Sequence, residues 1–370
     1  MKKLKLKNSD FTIPAMGQGM MGIGGYFERD SSKDSHSIDI LQKGFEKGLT
    51  FVDTAEIYGA GHSEEVLGLA VRDCRSKVQI GTKFSPENSS PKRMIEACKS
   101  SLERLKTDYI DLYQTHWPSN DIKFESTLDG FNSLLKEGLI KYVGLSNATL
   151  KQVRLAKEKL PEGRFVSLQQ AFNLADRFAE ENFLPACQKE GRLMIAYSPL
   201  MEGKLVPNDN RKDKIQAYAS KLGLTLPQLI LAWLISNKNI SVIPKSSSLK
   251  HMVSNIKAWH FKLPEEIIFK IKNLYKSNVT RVNISDINIT KNNGRKVYQT
   301  IEEAIENKNR MNPSPLKLSE DFKQGEIFRP IKVSNSPHLS KPYSLSEGGL
   351  RYWAWRIAFG EDSKIEVNII

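Results

Sequence analysis

From residue 37 to residue 260 the chain alternates two patterns: stretches whose apolar residues recur at helical spacing, and short runs that are apolar on both sides. SIDILQKGFEKGL predicts a helix with Gly48 near its end, and TFVDTA a buried strand after it. SEEVLGLAVRDC then reads as helix and KVQIGTKF as strand, PKRMIEACKSSLERLK as helix and YIDLYQTHWP as strand. The alternation continues through TLDGFNSLLKEGLI and KYVGLSN, LKQVRLAKEKL and FVSLQQAFN, ENFLPACQKEG and LMIAYSPL. After a looser stretch, LTLPQLILAWLISN predicts a helix and SVIPKS the last strand of the series.

Such alternation implies parallel strands joined by helical crossovers. Seven strand candidates follow the first helix, and the earlier segment IPAMGQGMMGIGG can supply an eighth. Eight strands and eight helices in about 260 residues match the size of a (β/α)8 barrel. A doubly wound open sheet is the alternative, but GQGMMGIGG, residues 17–25, lacks the GxGxxG spacing of a dinucleotide-binding turn. LPEEIIFKIKNLYK, residues 263–276, reads as the closing helix. RVNISDINITKNNG then loses periodicity and gains Asn and Ser, which predicts an irregular connection and a domain boundary near residue 280.

Beyond that boundary, residues 281–370 predict a compact second module: the short helix TIEEAIENKN, then helix, the strand PIKV, the strand and turn YSLSEGG, the helix RYWAWRIAFG and the strand IEVNII. The aromatics Tyr352, Trp353, Trp355 and Phe359 either pack the core of this module or dock it.

Composition narrows the picture modestly. A hydrophobic content of 39% and a charged content of 26% are those of a globular domain, and no run approaches the 18 or so apolar residues of a membrane-spanning helix. The start, MKKLKLKNSD, alternates lysine with leucine and so reads as a first strand and not as a signal peptide; a cytoplasmic location, without membrane partners, is the default expectation. Cys74, Cys98 and Cys187 have no metal-like or redox-like pairing and are expected to be free, buried or half-buried thiols. Of the net charge of +13, residues 281–370 carry only +3, from 14 Lys and Arg against 11 Asp and Glu. The excess is therefore diffuse, and a diffuse basic surface suits anionic small substrates and phosphorylated cofactors as well as it suits DNA.

In a parallel barrel, catalytic groups sit at the carboxyl ends of strands. Those ends carry Asp53 after FV, Lys83 after QIGT and His116 after LYQT, with Tyr58 in the loop that follows Asp53. Singly, each has an ordinary structural reading as a cap, a surface charge, a core histidine or a packed ring. Together they form a set: a lysine ammonium beside a tyrosine lowers the phenol's pKa, and a carboxylate holds the lysine charged and in place. A histidine can orient and polarise a carbonyl.

FVDTAEIYGAGHSEEVLG, IGTKF, DLYQTHWP, GLSN, IAYSPLMEGKL and VIPKSSSLKHMVSNI, in this order across residues 4 to about 278, resemble the aldo-keto reductases. The resemblance implies a (β/α)8 barrel that binds NADPH in an extended conformation and reduces an aldehyde or ketone. It implies catalysis by Asp53, Tyr58, Lys83 and His116, with Tyr58 as proton donor. Ser146, Asn147 and Gln169 match positions that hydrogen-bond the nicotinamide carboxamide, and Tyr197 matches the aromatic that stacks on the nicotinamide. The turn of residues 198–205, with Ser198, Leu200 and Lys204, matches the segment around the pyrophosphate. Lys245 and Ser246 match the pair that receives the adenosine 2′-phosphate, where an ammonium and a hydroxyl suit a dianion, and Asn255 matches the residue that contacts adenine. His251 stands where an arginine often grips the 2′-phosphate, and Ser254 where a glutamate often touches adenine. Lys245 favours NADPH over NADH.

Substrate specificity is expected from residues 27–37, 116–124 and about 200–215, whose polar, lysine-bearing composition fits a hydrophilic or sugar-derived carbonyl. Trp117 reads either as a pocket wall or as a buried structural residue. The C-terminal module resembles the ParB/sulfiredoxin-like domain, so that the chain divides into a barrel, residues 1–280, and a small α+β domain, residues 281–370. Gly348, Gly349, Leu350 and Arg351 fit the G-x-x-R turn of that domain, where close backbone approach, a helix N-terminus and an arginine could hold a phosphate or nucleotide. No cysteine lies beyond Cys187, which excludes sulfiredoxin chemistry there. A rival reading makes the chain a nucleotide- or DNA-binding regulator with the barrel as redox sensor or scaffold. The +3 balance of the module argues against extensive DNA contact.

Overall fold

A computed structural model describes residues 3–207, 210–276, 279–289, 298–336 and 340–369. It divides into two compact units, Met1–Ala148 with Gln152–Tyr275, and Lys276–Ile370 with the three residues Thr149–Lys151.

The first unit opens with an antiparallel hairpin, β1 (Lys3–Lys5) and β2 (Thr12–Pro14). Eight parallel strands follow: β3 (Gln18–Gly19), β4 (Phe51–Asp53), β5 (Gln79–Phe84), β6 (Ile110–Thr115), β7 (Ile140–Ser146), β8 (Phe165–Ala171), β9 (Leu193–Tyr197) and β10 (Ile240–Val242). They pair in chain order. The sheet closes on itself where Met16 bridges Val242 in parallel, with Gly17 N donating to Val242 O at 2.9 Å and Val242 N to Ala15 O at 3.0 Å. This is the expected (β/α)8 barrel.

The crossovers are α1 (Asp34–Glu46), α2 (His62–Ala70), α3 (Pro91–Leu105), α4 (Phe124–Lys136), α5 (Leu150–Lys159), α6 (Phe178–Asn182), α7 (Leu184–Glu190), α8 (Arg211–Lys221), α9 (Leu226–Ser236), α10 (Leu249–His260) and α11 (Glu265–Leu274). The looser stretch after β9 contains α8, which its strongly polar sequence concealed: only Ile215 and Ala219 are buried along it. α3 shows the usual cause of these helices, since Met94, Ala97, Cys98, Ser101, Leu102 and Leu105 recur every three or four residues and form its buried face. α9 is apolar nearly all round and correspondingly buried, and its Thr225–Gln228 capping box satisfies the first turn. The hairpin closes the amino-terminal end of the barrel, where Phe11 and Ile13 pack with Phe51, Leu112, Val166 and Leu193. That end is a packed floor, so open chemistry is confined to the carboxyl ends. All three cysteines are free thiols, Cys98 and Cys187 buried and Cys74 half-buried.

The second unit is built on a five-stranded mixed sheet, β11 (Val279–Asn283), β12 (Ile287–Asn288), β13 (Ile331–Asn335), β14 (Tyr343–Glu347) and β15 (Lys364–Ile369), in the order β11-β15-β13-β14-β12. Its helices are α12 (Ile301–Ile305), α13 (Pro315–Lys323) and α14 (Gly349–Phe359). The segment expected to be an irregular connection is instead part of this sheet: Val279–Asn283 pairs antiparallel along β15, and Ile287–Asn288 pairs parallel with β14. The division between units accordingly falls at Tyr275–Lys276, ahead of residue 280. The strand was hidden because β11 is an edge strand with only Val282 buried, so the exposed Thr280, Arg281 and Asn283 broke the apolar pattern. Residues 290–294 of that segment lie outside the described residues. Val282, Ile284, Ile331, Val333, Trp353 and Val367 belong to one core with Tyr352, so the first two aromatics of RYWAWRIAFG pack their own module. Phe359, at the end of the helix, is exposed.

Candidate active site

Asp53 ends β4, Lys83 is the last residue but one of β5, and His116 directly follows β6. Tyr58 lies in the turn after β4 and is brought back over the strand ends. The register places Lys83 beside Gln114 of β6, so side chains that are 30 and more residues apart in sequence meet at the carboxyl face.

Lys83 Nζ donates to Asp53 Oδ1 at 2.5 Å and to Thr54 O at 2.8 Å, and both charged side chains are almost wholly excluded from solvent. Asp53 Oδ2 accepts from Gln114 Nε2 at 3.1 Å and from Gln169 Nε2 at 2.8 Å. Three donors therefore hold one buried carboxylate, which is what a buried charge requires. Burial disfavours the Lys83 ammonium, but Asp53, Tyr58 and the hydrogen bonds to them outweigh it and raise the lysine pKa above its ordinary value.

Lys83 Nζ lies 5.4 Å from the centre of the Tyr58 ring, and the ring meets His116 edge-on with centroids 5.5 Å apart. The sequence leads one to expect a lowered phenol pKa. Lys83 does act in that direction, but burial is the larger effect and Asp53 adds to it, so the Tyr58 pKa is raised and the phenol stays protonated. Burial, and then the Lys83 charge, push the His116 pKa down to about 2, so its imidazole is neutral at any physiological pH. His116 Nδ1 is buried and has no hydrogen-bond partner among the described residues. Trp117 stacks on His116 at 4.0 Å and is 45% exposed. It is not a buried structural residue.

The residues expected to hold a nicotinamide lie along the next strand ends. Ser146 is buried at the end of β7, with its backbone N–H donating to Thr115 Oγ1 at 3.2 Å. Asn147 adopts a left-handed φ of 57° and donates to His116 O at 3.0 Å, while its Oδ1 accepts from Tyr197 Oη at 2.9 Å. That last bond anchors the rim of the half-buried Tyr197 ring. In the turn after β9, Ser198, Met201, Glu202 and Leu205 all have positive φ, a concentration of strain seen where loops are held for a purpose. Leu200 O accepts from Gly203 N and Leu205 N at 3.1 Å each, and Lys204 is exposed at the end of the turn.

At the far rim, Lys245 is exposed after β10, Ser246 is buried and accepts from Asn255 Nδ2 at 3.0 Å, and His251 is exposed in the first turn of α10. Desolvation of its ammonium and the nearby charge of Lys33 lower the Lys245 pKa. Two cations set close together at a surface are relieved by an anion, which fits the phosphate end of NADPH. Ser254, in place of the glutamate often found there, accepts from Gln228 Nε2 at 3.1 Å on its hydroxyl.

Sequence reasoning missed Gln114 and Lys33. Gln114 stands two residues before His116 in LYQTH, and the inward alternation of a strand end was the available signal. Lys33 gave none, because only the fold carries the start of α1 towards the β10 loop: His36 Nε2 lies 3.1 Å from Ser247 O.

In the second unit, Gly348 has φ +100° and a Cβ there would lie 2.7 Å from Ile331 Cγ2, so this turn requires glycine. Arg351 Nη1 donates to Arg329 O at 2.5 Å and to Pro330 O at 3.4 Å, and Nη2 lies 3.7 Å from Glu347 Oε1. The guanidinium expected to clamp a phosphate is tied to the backbone that leads into β13.

Residues 15–276 match the Aldo/keto reductase family. The chain is 34% identical over 250 residues to the methylglyoxal reductase of Escherichia coli, across 67% of this chain and 86% of that protein. It is 30% identical over 305 residues to a probable aldo-keto reductase of Glycine max, across 72% of this chain and 87% of that one. Among solved structures, a thermostable aldo-keto reductase crystallised with the inhibitor epalrestat is 36% identical, with a TM-score of 0.71 over 74% of this chain and all of the other. An aldo/keto reductase from Klebsiella pneumoniae crystallised with NADP and acetate is 32% identical, with a TM-score of 0.68 over 74% of this chain and 96% of its own.

Proposed function

Because the chain belongs to the aldo/keto reductase family, we propose that it reduces a small polar aldehyde or ketone with NADPH, using Tyr58 as the proton donor. The observation that carries this reading is the convergence of Asp53, Lys83, Tyr58 and His116 at the carboxyl ends of β4, β5 and β6.

NADPH, when bound, supplies the hydride. Ser146, Asn147 and Gln169, whose nitrogen also serves Asp53, would hold its carboxamide. Tyr197 offers a ring face, Ser198, Leu200 and Lys204 would frame the pyrophosphate, Lys245 and Ser246, with His251 beside them, would receive the adenosine 2′-phosphate, and Asn255 would contact the adenine. Lys245, seconded by Lys33, supports NADPH over NADH.

The phenol of Tyr58 remains a proton donor at neutral pH because burial raises its pKa. As negative charge develops on the carbonyl oxygen, the proton leaves Tyr58, and the Lys83 ammonium stabilises the phenolate that results. Asp53 keeps Lys83 charged and aimed. His116, neutral throughout, donates an N–H to the same oxygen without competing for the proton. The relative that reduces methylglyoxal and the polar loops at residues 27–37 and 116–124 together favour small hydrophilic carbonyls, including sugar-derived ones.

For the second unit, the strand, left-handed glycine turn and helix at residues 343–359 support a ParB/sulfiredoxin-like reading. Arg351, engaged with Arg329 O, serves that turn as a structural residue. Redox sensing or DNA binding as the chain's main task finds no support in these contacts.

The test is Tyr58→Phe in the full chain, with methylglyoxal as substrate. Turnover should fall by about 10²–10⁴-fold while NADPH still quenches tryptophan fluorescence with wild-type affinity. Undiminished turnover would refute the assignment of the proton donor.

A further inference from the structure

The segment that follows β3, where residues 27–37 were expected to line a substrate pocket, is held by a histidine that the proposed reaction does not use. His62 opens α2, four residues after Tyr58, and is 3% exposed. Its Nδ1 lies 2.7 Å from Glu65 Oε2 and its Nε2 lies 2.8 Å from Asp34 Oδ2. Asp34 is the first residue of α1 and thus marks the far end of the segment. Arg29, inside the segment, reaches the same Glu65 through Nη1 at 3.1 Å and Nη2 at 2.8 Å.

Backbone contacts continue what the side chains begin. Gly59 N, next to Tyr58, donates to Tyr26 O at 2.9 Å, and Asp30 N donates to Gly24 O at 2.9 Å. Gly24 is so close to the start of α2 that a Cβ there would lie 2.9 Å from Ser63 N. The segment carries Tyr26 and Phe27, which are 62% and 66% exposed at the carboxyl end of the barrel.

We propose that His62 is a positioning residue: with Asp34, Glu65 and Arg29 it latches residues 24–34 to the Tyr58 turn, and so holds the substrate-facing side chains of that segment in place. The substrate part of this rests on the function proposed above; the latch itself does not. Burying His62 against the partly exposed Asp34 and Glu65 costs desolvation that an apolar contact would avoid, while Arg29 at the outer edge of the cluster stays exposed. What it contributes in return is direction, because four charge-assisted contacts fix one arrangement of a short segment.

Hydrogen exchange and steady-state kinetics on the full chain test it, using His62→Ala, Asp34→Asn, the double variant and His62→Gln. In either single variant, amides of residues 25–34 and of Gly59 should exchange about tenfold faster or more. With methylglyoxal at saturating NADPH, KM should rise about tenfold while kcat stays within about threefold. The double variant should add little to the larger single effect, since both remove one contact. His62→Gln, which keeps N–H donors, should recover part of the KM. Unchanged exchange in the segment, multiplicative single effects, or a lowered Tm with unchanged KM would each overturn the latch. The exchange result needs no turnover, so it decides the latch even where methylglyoxal is not reduced; that outcome, or an active Tyr58→Phe, counts against the proposed reaction instead.

Discussion

The Lys83 ammonium donates to the Asp53 carboxylate at 2.5 Å in a place where neither side chain meets solvent. Removing one partner leaves the other as an uncompensated buried charge. Lys83→Met should therefore destabilise the barrel by about 3–5 kcal/mol, read from urea unfolding. The pair Asp53→Leu with Lys83→Met should be less destabilised than Lys83→Met alone, although neither protein should turn over substrate. If the double variant were the weaker, the pair would be stabilising beyond its desolvation.

His116 gives the barrel a predictable response to acid. Its folded pKa of about 2 lies far below the unfolded value near 6.5. Below about pH 6.5 the unfolded chain binds a proton that the folded chain refuses, so stability falls as pH falls. The slope from this one group is about 1.4 kcal/mol per pH unit. Denaturant titrations of wild type and His116→Gln between pH 7 and pH 4.5 should differ by that slope. Parallel curves would mean that His116 is protonated in the folded state.

Gly59 tests the close approach of the segment after β3. Its φ is +57° and an added Cβ would lie 2.1 Å from Gly24 O. Gly59→Ala should cost about 2 kcal/mol or more and lower kcat/KM, because residues 24–30 have to move. Gly138→Ala makes the control: φ is +73° but nothing lies within 4 Å, so only about 1 kcal/mol is at stake and the kinetics should not change.

Trp353, 1% exposed in the core of the second unit, is a packing residue there. Trp353→Ala should destabilise that unit by about 3–5 kcal/mol. Scanning calorimetry of the full chain should show the loss in the transition of that unit. A wild-type trace would mean that the tryptophan's burial contributes nothing to folding.

Much of the barrel was legible because its strands are buried on both faces and its helices on one, so each element announces itself by period alone. TFVDTA, KVQIGTKF and FVSLQQAFN are strands where expected. The elements that escaped are those for which burial and sequence part company: α8 is mostly solvent-facing, and β11 is an edge strand with one buried residue. The placement of Asp53, Lys83 and His116 at strand ends was equally legible. The direction of the Tyr58 pKa was not, since a lysine neighbour can be read from a motif whereas the depth of burial that overrides it cannot.

By itself, then, the sequence determined the alternation of elements, the residue types at each strand end and the existence of a second module, while the packing of Tyr352 and Trp353 in that module's core came from the structure. Only the tertiary structure decided that Gln114 and Gln169 share Asp53, that Arg351 is bound to Arg329 O, and that His62 joins Asp34 to Glu65 across 28 and 3 residues of chain. The physical reason is range. Periodicity reports burial, which each residue senses through its neighbours along the chain, whereas hydrogen bonds and desolvation are set by partners that meet only when the barrel closes.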